Sequence, residues 1–166
     1  MSAYKFNSLV RNNYLEIEKT LNVLYKTEKP VILCIGTDLI VGDCFGPMVG
    51  SYIKNKLNGK AYVYGTLNNP LTAKEAVTLS KTIKLLHPNS KILVVDAAIG
   101  NEDEVGNIKV KSGGVKPGLG YDKNLPLLGD VSIVGVVSKS KELCVRLGLI
   151  YNLAKDASEG IIRAIL

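Results

Sequence analysis

The chain has 166 residues, 46% hydrophobic and 22% charged, with 21 Lys and Arg against 15 Asp and Glu for a formal charge of +6. That length fits a single domain spanning 1–166, able to bury about two-thirds of its unfolded surface, and the composition excludes a disordered or collagen-like chain. No apolar run approaches the roughly 20 residues that cross a bilayer, and residues 1–7 carry no apolar signal core, so a cytoplasmic protein with no membrane partner is expected.

Residues 8–26 place Leu9, Tyr14, Ile17, Leu21 and Leu24 at helical spacing, which predicts an amphipathic N-terminal helix ahead of an α/β core over about 30–164. After Pro30 the run Val31-Ile32-Leu33-Cys34-Ile35-Gly36 is continuous and apolar, as in a strand buried on both faces of a parallel sheet. A helix near 46–57, a strand at 61–65, a helix over about 72–86 and a second buried strand at 91–96 follow. A short alternating strand at 107–112, a Gly- and Pro-rich loop at 113–127, a strand at 131–137 and a closing helix from about 140 to 164 complete the reading. Strands alternating with helices predict a three-layer α/β/α sandwich with a mainly parallel sheet, in which 31–36 and 91–96 lie side by side and 61–65 does not come between them.

In such sheets ligands bind beyond the carboxyl ends of the strands, where strand order reverses. Both segments at that point carry an acid: Gly36-Thr37-Asp38 leading to Gly42-Asp43-Cys44, and Val94-Val95-Asp96-Ala97. Asp96 closes a run of aliphatic residues, so its burial must be compensated; it is either the cap of a following turn or half of a functional pair. Asp43 is either the N-cap of the helix containing Phe45-Gly46-Pro47 or the other half. Two acids at adjacent strand mouths can share a proton or polarise one water.

These residues, with Lys116-Pro117-Gly118-Leu119-Gly120, Leu125-Pro126 and Gly129-Asp130-Val131-Ser132-Ile133, resemble the sporulation proteins of the YyaC type over most of residues 30–160. That family is similar to the spore germination protease and, more remotely, to the hydrogenase maturation peptidases, which implies a phosphorylase/hydrolase-like fold. The acid before an apolar-Gly-Pro matches Asp43, and the strand-Asp-Ala match is Asp96. The resemblance implies an aspartic-type peptidase using Asp43 and Asp96 as catalytic pair, with Gly36, Thr37, Asp38 and Gly46 supporting or binding substrate, in the forespore or mother cell of a spore former. The expected partner is a peptide or protein substrate. The alternatives are a non-catalytic sporulation factor that binds a peptide or protein, and a peptidyl-tRNA-hydrolase-like activity.

The other chemistry-bearing residues read as structural. His87, the only histidine, falls at a helix end on the opposite pole and is expected to be exposed there, so neither metal nor other cofactor is expected. Cys44 lacks a histidine base and reads as packing; Cys34 and Cys144 read as core. An odd set of three cysteines without CxxC spacing offers no disulfide framework or zinc ribbon. The Gly36 and Gly42 pair lacks the Lys-Ser/Thr of a phosphate loop. Glu102-Asp103-Glu104 reads as a solvated turn, and Lys116 and Lys123 as loop surface or, alternatively, as a cover over the crevice. The eighteen lysines are scattered rather than clustered, so nucleic acid is not expected as the main ligand.

Overall fold

The computed structural model describes residues 3–7, 13–117, 125–139 and 144–166. The three aliphatic runs become the centre of a six-stranded sheet: β2 (Val31–Cys34), β4 (Ile92–Gly100) and β6 (Val131–Lys139). β3 (Tyr62–Tyr64) pairs parallel with β2 on its outer side, and β2, β4 and β6 are mutually parallel neighbours. Beyond β6, β5 (Asn107–Ser112) and β1 (Ala3–Asn7) add antiparallel pairings, giving the order β1-β5-β6-β4-β2-β3. β2 and β4 are therefore adjacent, and the chain winds one way through β3 and the other way through β4 and β6. That makes the gap beyond their carboxyl ends the point where strand order reverses.

Helices α1 (Asn13–Leu24), α2 (Phe45–Leu57) and α4 (Leu147–Ile165) pack together on one face, burying Ile17, Val49, Ile53, Leu153 and Ile161 against Ile32, Leu93, Val95 and Ile133. Each such side chain contributes about 1.5–3 kcal/mol by leaving water. The other face is covered by α3 (Ala73–Leu86) and by Val115 and Leu128 from the loop joining β5 to β6, over Val31, Leu33, Ile92 and Val94. The layers are helix, sheet, helix. α3 starts where the sequence demands: the Thr72 hydroxyl accepts a hydrogen bond from the Glu75 N–H while the Glu75 carboxylate accepts one from the Thr72 N–H, a reciprocal capping box.

The elements depart from the sequence expectations in four places. The predicted helix at 8–26 is shorter, Asn13–Leu24, with residues 8–12 outside the described set, and β1 precedes it unforeseen. The closing helix begins at Leu147 rather than 140, and its N-cap Arg146 makes no side-chain capping bond; residues 140–143 lie outside the described set. β4 continues four residues past Asp96. Because β5 is antiparallel to β6, with Ser112 opposite Val131, the loop after β5 returns to the amino ends of the parallel strands. Lys116 thus sits at the pole opposite the acids, and Lys123 lies outside the described residues.

Candidate active site

β2 cannot run on past Gly36. Gly36 takes φ +138°, and a Cβ there would stand 2.0 Å from the Asp43 carbonyl oxygen, so only glycine fits the turn. Its N–H donates to the Leu71 carbonyl at 2.9 Å, tying the bend to the segment before α3. The loop that follows is closed on itself: the Thr37 N–H donates to the Asp43 carbonyl at 3.2 Å, the Asp43 N–H to the Ile40 carbonyl at 2.9 Å, and the Leu39 N–H to Thr37 Oγ1 at 3.2 Å. Asp43 lies in the 3-10 turn Val41–Cys44 that leads into α2. The first turn of α2 is pressed onto the end of β2, since a Cβ on Gly46 would stand 2.0 Å from the Ile35 carbonyl oxygen, and the Phe45 ring occupies the space that a Cβ on Gly135 of β6 would need. Two glycines thus fix the height of Asp43 above the sheet.

Asp96 follows four fully buried aliphatics in β4 and is itself 5% exposed. One carboxyl oxygen, Oδ1, accepts the Ala97 N–H at 2.9 Å. Burial first, and the charge of Asp43 second, push its pKa up to about 7, against the pull of the Ala97 N–H. Asp43 is half-buried; burial raises its pKa too, and the Thr37 N–H opposes that rise. The structure therefore brings the two predicted acids into one electrostatic field with unequal burial. The deeper one keeps its proton toward neutral pH.

The structural alternatives for both acids do not hold. Asp43 is no N-cap, because Cys44 holds that position in α2 and no side-chain capping bond is made. Asp96 caps no turn, because β4 continues through Gly100. Of the supporting residues, Gly36, Thr37 and Gly46 shape the turn as described, while Asp38 is exposed on the loop and its charge, with that of Asp43, reaches Cys44. Burial chiefly, and then those two carboxylates, raise the Cys44 thiol, the reverse of what a thiolate nucleophile requires.

Elsewhere the expectations need correction. His87 ends α3 at the far pole but is half-buried rather than exposed, its ring 4.2 Å from that of Tyr62. Cys144 is exposed ahead of α4, not in the core. Glu104 is no solvated charge: it takes Lys109 Nζ at 2.7 Å and Lys5 Nζ at 2.9 Å, which, together with the Asn101 N–H, hold its carboxyl down at about 2. Glu102 pairs with Lys139. Among the described residues no group of three His, Cys, Asp or Glu is placed to hold a metal ion, and no helix is long and apolar enough to cross a membrane.

Sequence reasoning missed the apolar tip of the loop. Leu39 is 88% exposed, with Ile40 and Val41 beside it at 45% and 41%. The signal was present: three consecutive large aliphatics between Gly36 and Gly42, in a stretch too short and too bent to bury them.

A family model described as "Protein of unknown function (DUF1256)" matches residues 5–160. The chain belongs to the DUF1256 family. The matched region opens within β1 and closes within α4, so every residue of the acid site falls inside it. A relative in Bacillus subtilis (strain 168), "Uncharacterized protein YyaC", is 39% identical over 137 residues, covering 79% of this chain and 67% of the relative. Among solved structures, a [NiFe] hydrogenase maturation protease, HycI from Thermococcus kodakarensis KOD1, superposes with a TM-score of 0.63 at 18% identity, covering 88% of this chain and 98% of that one. The DUF1256 chain thus shares a mixed α/β fold with that protease, a mostly parallel six-stranded sheet flanked by helices.

Proposed function

We propose that this DUF1256 protein is a peptidase-like hydrolase in which Asp43 and Asp96 activate water against a peptide bond of a peptide or protein substrate, in the sporulating cell that its YyaC-type motifs point to. The observation that carries the reading is the inequality of the two acids, one buried with its pKa near 7 and one less buried within its field. A pair of this kind supplies a general acid and a general base from the same residue type.

Protonated Asp96 hydrogen-bonds the scissile carbonyl oxygen, and ionised Asp43 takes a proton from a water whose oxygen attacks the carbonyl carbon. The C–O bond forms, the carbonyl π electrons move to oxygen, and Asp96 transfers its proton there. Asp43 then gives its proton to the amide nitrogen as the C–N bond breaks, and the new hydroxyl returns its proton to Asp96 as the carbonyl re-forms. One water is consumed and both carboxyls return to their starting states. A fold shared with a hydrogenase maturation protease supports a protein substrate.

The test is hydrolysis of a defined peptide pool by the purified protein, followed by mass spectrometry across pH. The expected profile is a bell: the alkaline limb falls near pH 7 as Asp96 ionises, and the acid limb lies above 3.8 because Asp43 is also raised. Asp43→Asn and Asp96→Asn are each expected to remove hydrolysis by at least about a hundredfold. Turnover retained in either variant overturns the paired-acid mechanism, and binding without turnover in the unaltered protein favours a peptide-binding factor.

A further inference from the structure

β4 is nine residues long, but its two sides are not equally covered. β6 follows it from Leu93 to Gly100, whereas β2 accompanies it only from Ile92 to Val95. The last bond to the β2 side is the Ile35 N–H to the Val95 carbonyl at 2.8 Å, after which Gly36 turns the chain away. From Asp96 onward the lane beside β4 holds no strand among the described residues.

Strand alternation says which groups face that lane. The Lys91 and Val95 carbonyls both accept from β2, and the Ile92 carbonyl accepts from Asp130 on the β6 side. The main chain of odd-numbered residues therefore points toward β2, and beyond it Ala97 and Ile99 point into that lane. The Ala97 N–H is already held by the Asp96 carboxyl. The Ala97 carbonyl, the Ile99 N–H and the Ile99 carbonyl by the same alternation face away from β6, on the side where no strand pairs with β4 among the described residues. Natural edges are usually guarded by Lys, by Pro or by a bulge in the edge strand. This one reads Ala97-Ala98-Ile99-Gly100, Ile99 is 55% exposed, and the register shift at Ala98/Ile99 puts the extra residue, Val137, on β6 instead.

We propose that an extended, apolar-rich peptide adds to this open edge as a short strand, its main chain bonding Ala97 and Ile99 and its side chains resting on the Leu39-Ile40-Val41 loop. The inference rests on the hydrolase reading for its purpose, since a strand laid there carries its peptide bonds past Asp96. Main-chain pairing supplies the affinity and the apolar loop the preference, so the substrate class is an unfolded stretch of polypeptide rather than a folded surface. A second copy of the chain is the poorer occupant, because pairing edge to edge brings two acid sites, each with an ionised Asp43, together as like charges.

The test uses the full chain carrying Asp96→Asn, which stops turnover, and two pools of capped hexapeptides. One pool has Val, Leu or Ile at alternate positions; the other has Asp, Glu or Pro there. Amide hydrogen exchange at Ile99 is expected to slow at least about tenfold with the apolar pool and to be unchanged with the other. Ile99→Pro, which removes the N–H without touching the β6 ladder, is expected to weaken binding of the apolar pool at least about tenfold. Protection at Ile99 without hydrolysis by the unaltered protein supports the docking site and removes the hydrolase reading. Hydrolysis without protection at Ile99 overturns the docking site and leaves the hydrolase. Protection equal with both pools, absent with both, or present without peptide in a sedimenting dimer overturns the peptide site.

Discussion

A carboxyl whose pKa rises on folding ties the stability of the molecule to pH with a definite sign. Asp96 titrates near 7 in the folded chain and starts from 3.8, so between those values the folded state holds a proton that the unfolded state releases. Stability is therefore greatest at the acid end of that window, declines as pH rises toward 7, and levels off above it. Asp43 is raised as well and adds slope in the same direction. Asp96→Asn keeps the shape and the acceptor for the Ala97 N–H while removing the charge. It is expected to flatten most of the decline and to raise the urea midpoint at pH 8 above that of the unaltered protein. A midpoint lower than wild type at pH 8 means that the ionised carboxylate is stabilised by partners, which overturns a raised pKa for Asp96. Asp96 was legible in the sequence because an acid closing an aliphatic run is an anomaly. The pairing with Asp43 was legible from strand order alone. The stretch of β4 beyond Val95 that no strand on the β2 side accompanies among the described residues was not, since a strand's length beyond its neighbour leaves no mark in composition.

At the level of elements, the fold separates devices that hold helices in place from those that shape the acid site. The capping box of α3 is worth about 1 kcal/mol, so Thr72→Ala is expected to lower the free energy of unfolding by that much. Gly160 of α4 is a tighter constraint: a Cβ there would stand 2.6 Å from Ile17 Cγ2 and 3.0 Å from the Tyr14 carbonyl oxygen. Gly160→Ala is expected to cost about 1–3 kcal/mol by forcing α1 and α4 apart, and thermal melts of both variants check the ranking. The buried strands and the two middle helices could be read from the sequence because their apolar periods are long. β1 could not, because Ala3-Tyr4-Lys5-Phe6-Asn7 is short and mixed, and its place is set by pairing with β5 and by the Lys5 to Glu104 ion pair, both distant in the chain. The direction of β5 was equally hidden: Ile108 and Val110 alternate alike in parallel and antiparallel strands, and the pole of the long loop follows from that direction.

On the scale of the whole molecule, the charge of +6 is distributed among lysines that serve local partners as well as solvent. Lys5 and Lys109 converge on Glu104, Lys19 pairs with Glu16, and Lys139 with Glu102. What is left is expected to steer polyanions without forming a footprint. We expect RNA and DNA binding near physiological ionic strength to be weak, and a titration series in salt to give a log-log slope implying few released counterions. Tight binding with a steep slope revives a nucleic-acid-linked substrate.

The three cysteines differ enough in accessibility to be useful. Cys34 is fully buried and Cys44 nearly so, both with thiols raised by burial, whereas Cys144 is exposed. A thiol-directed fluorophore or spin label therefore attaches to one position without any engineering of the chain. That position is well chosen by the fold, because the next residue, Val145, lies against Gly42, immediately before Asp43. A label on Cys144 sits one residue from the turn that carries the less buried acid, and its emission or mobility reports on whatever enters or leaves the site, whether or not a bond is cut.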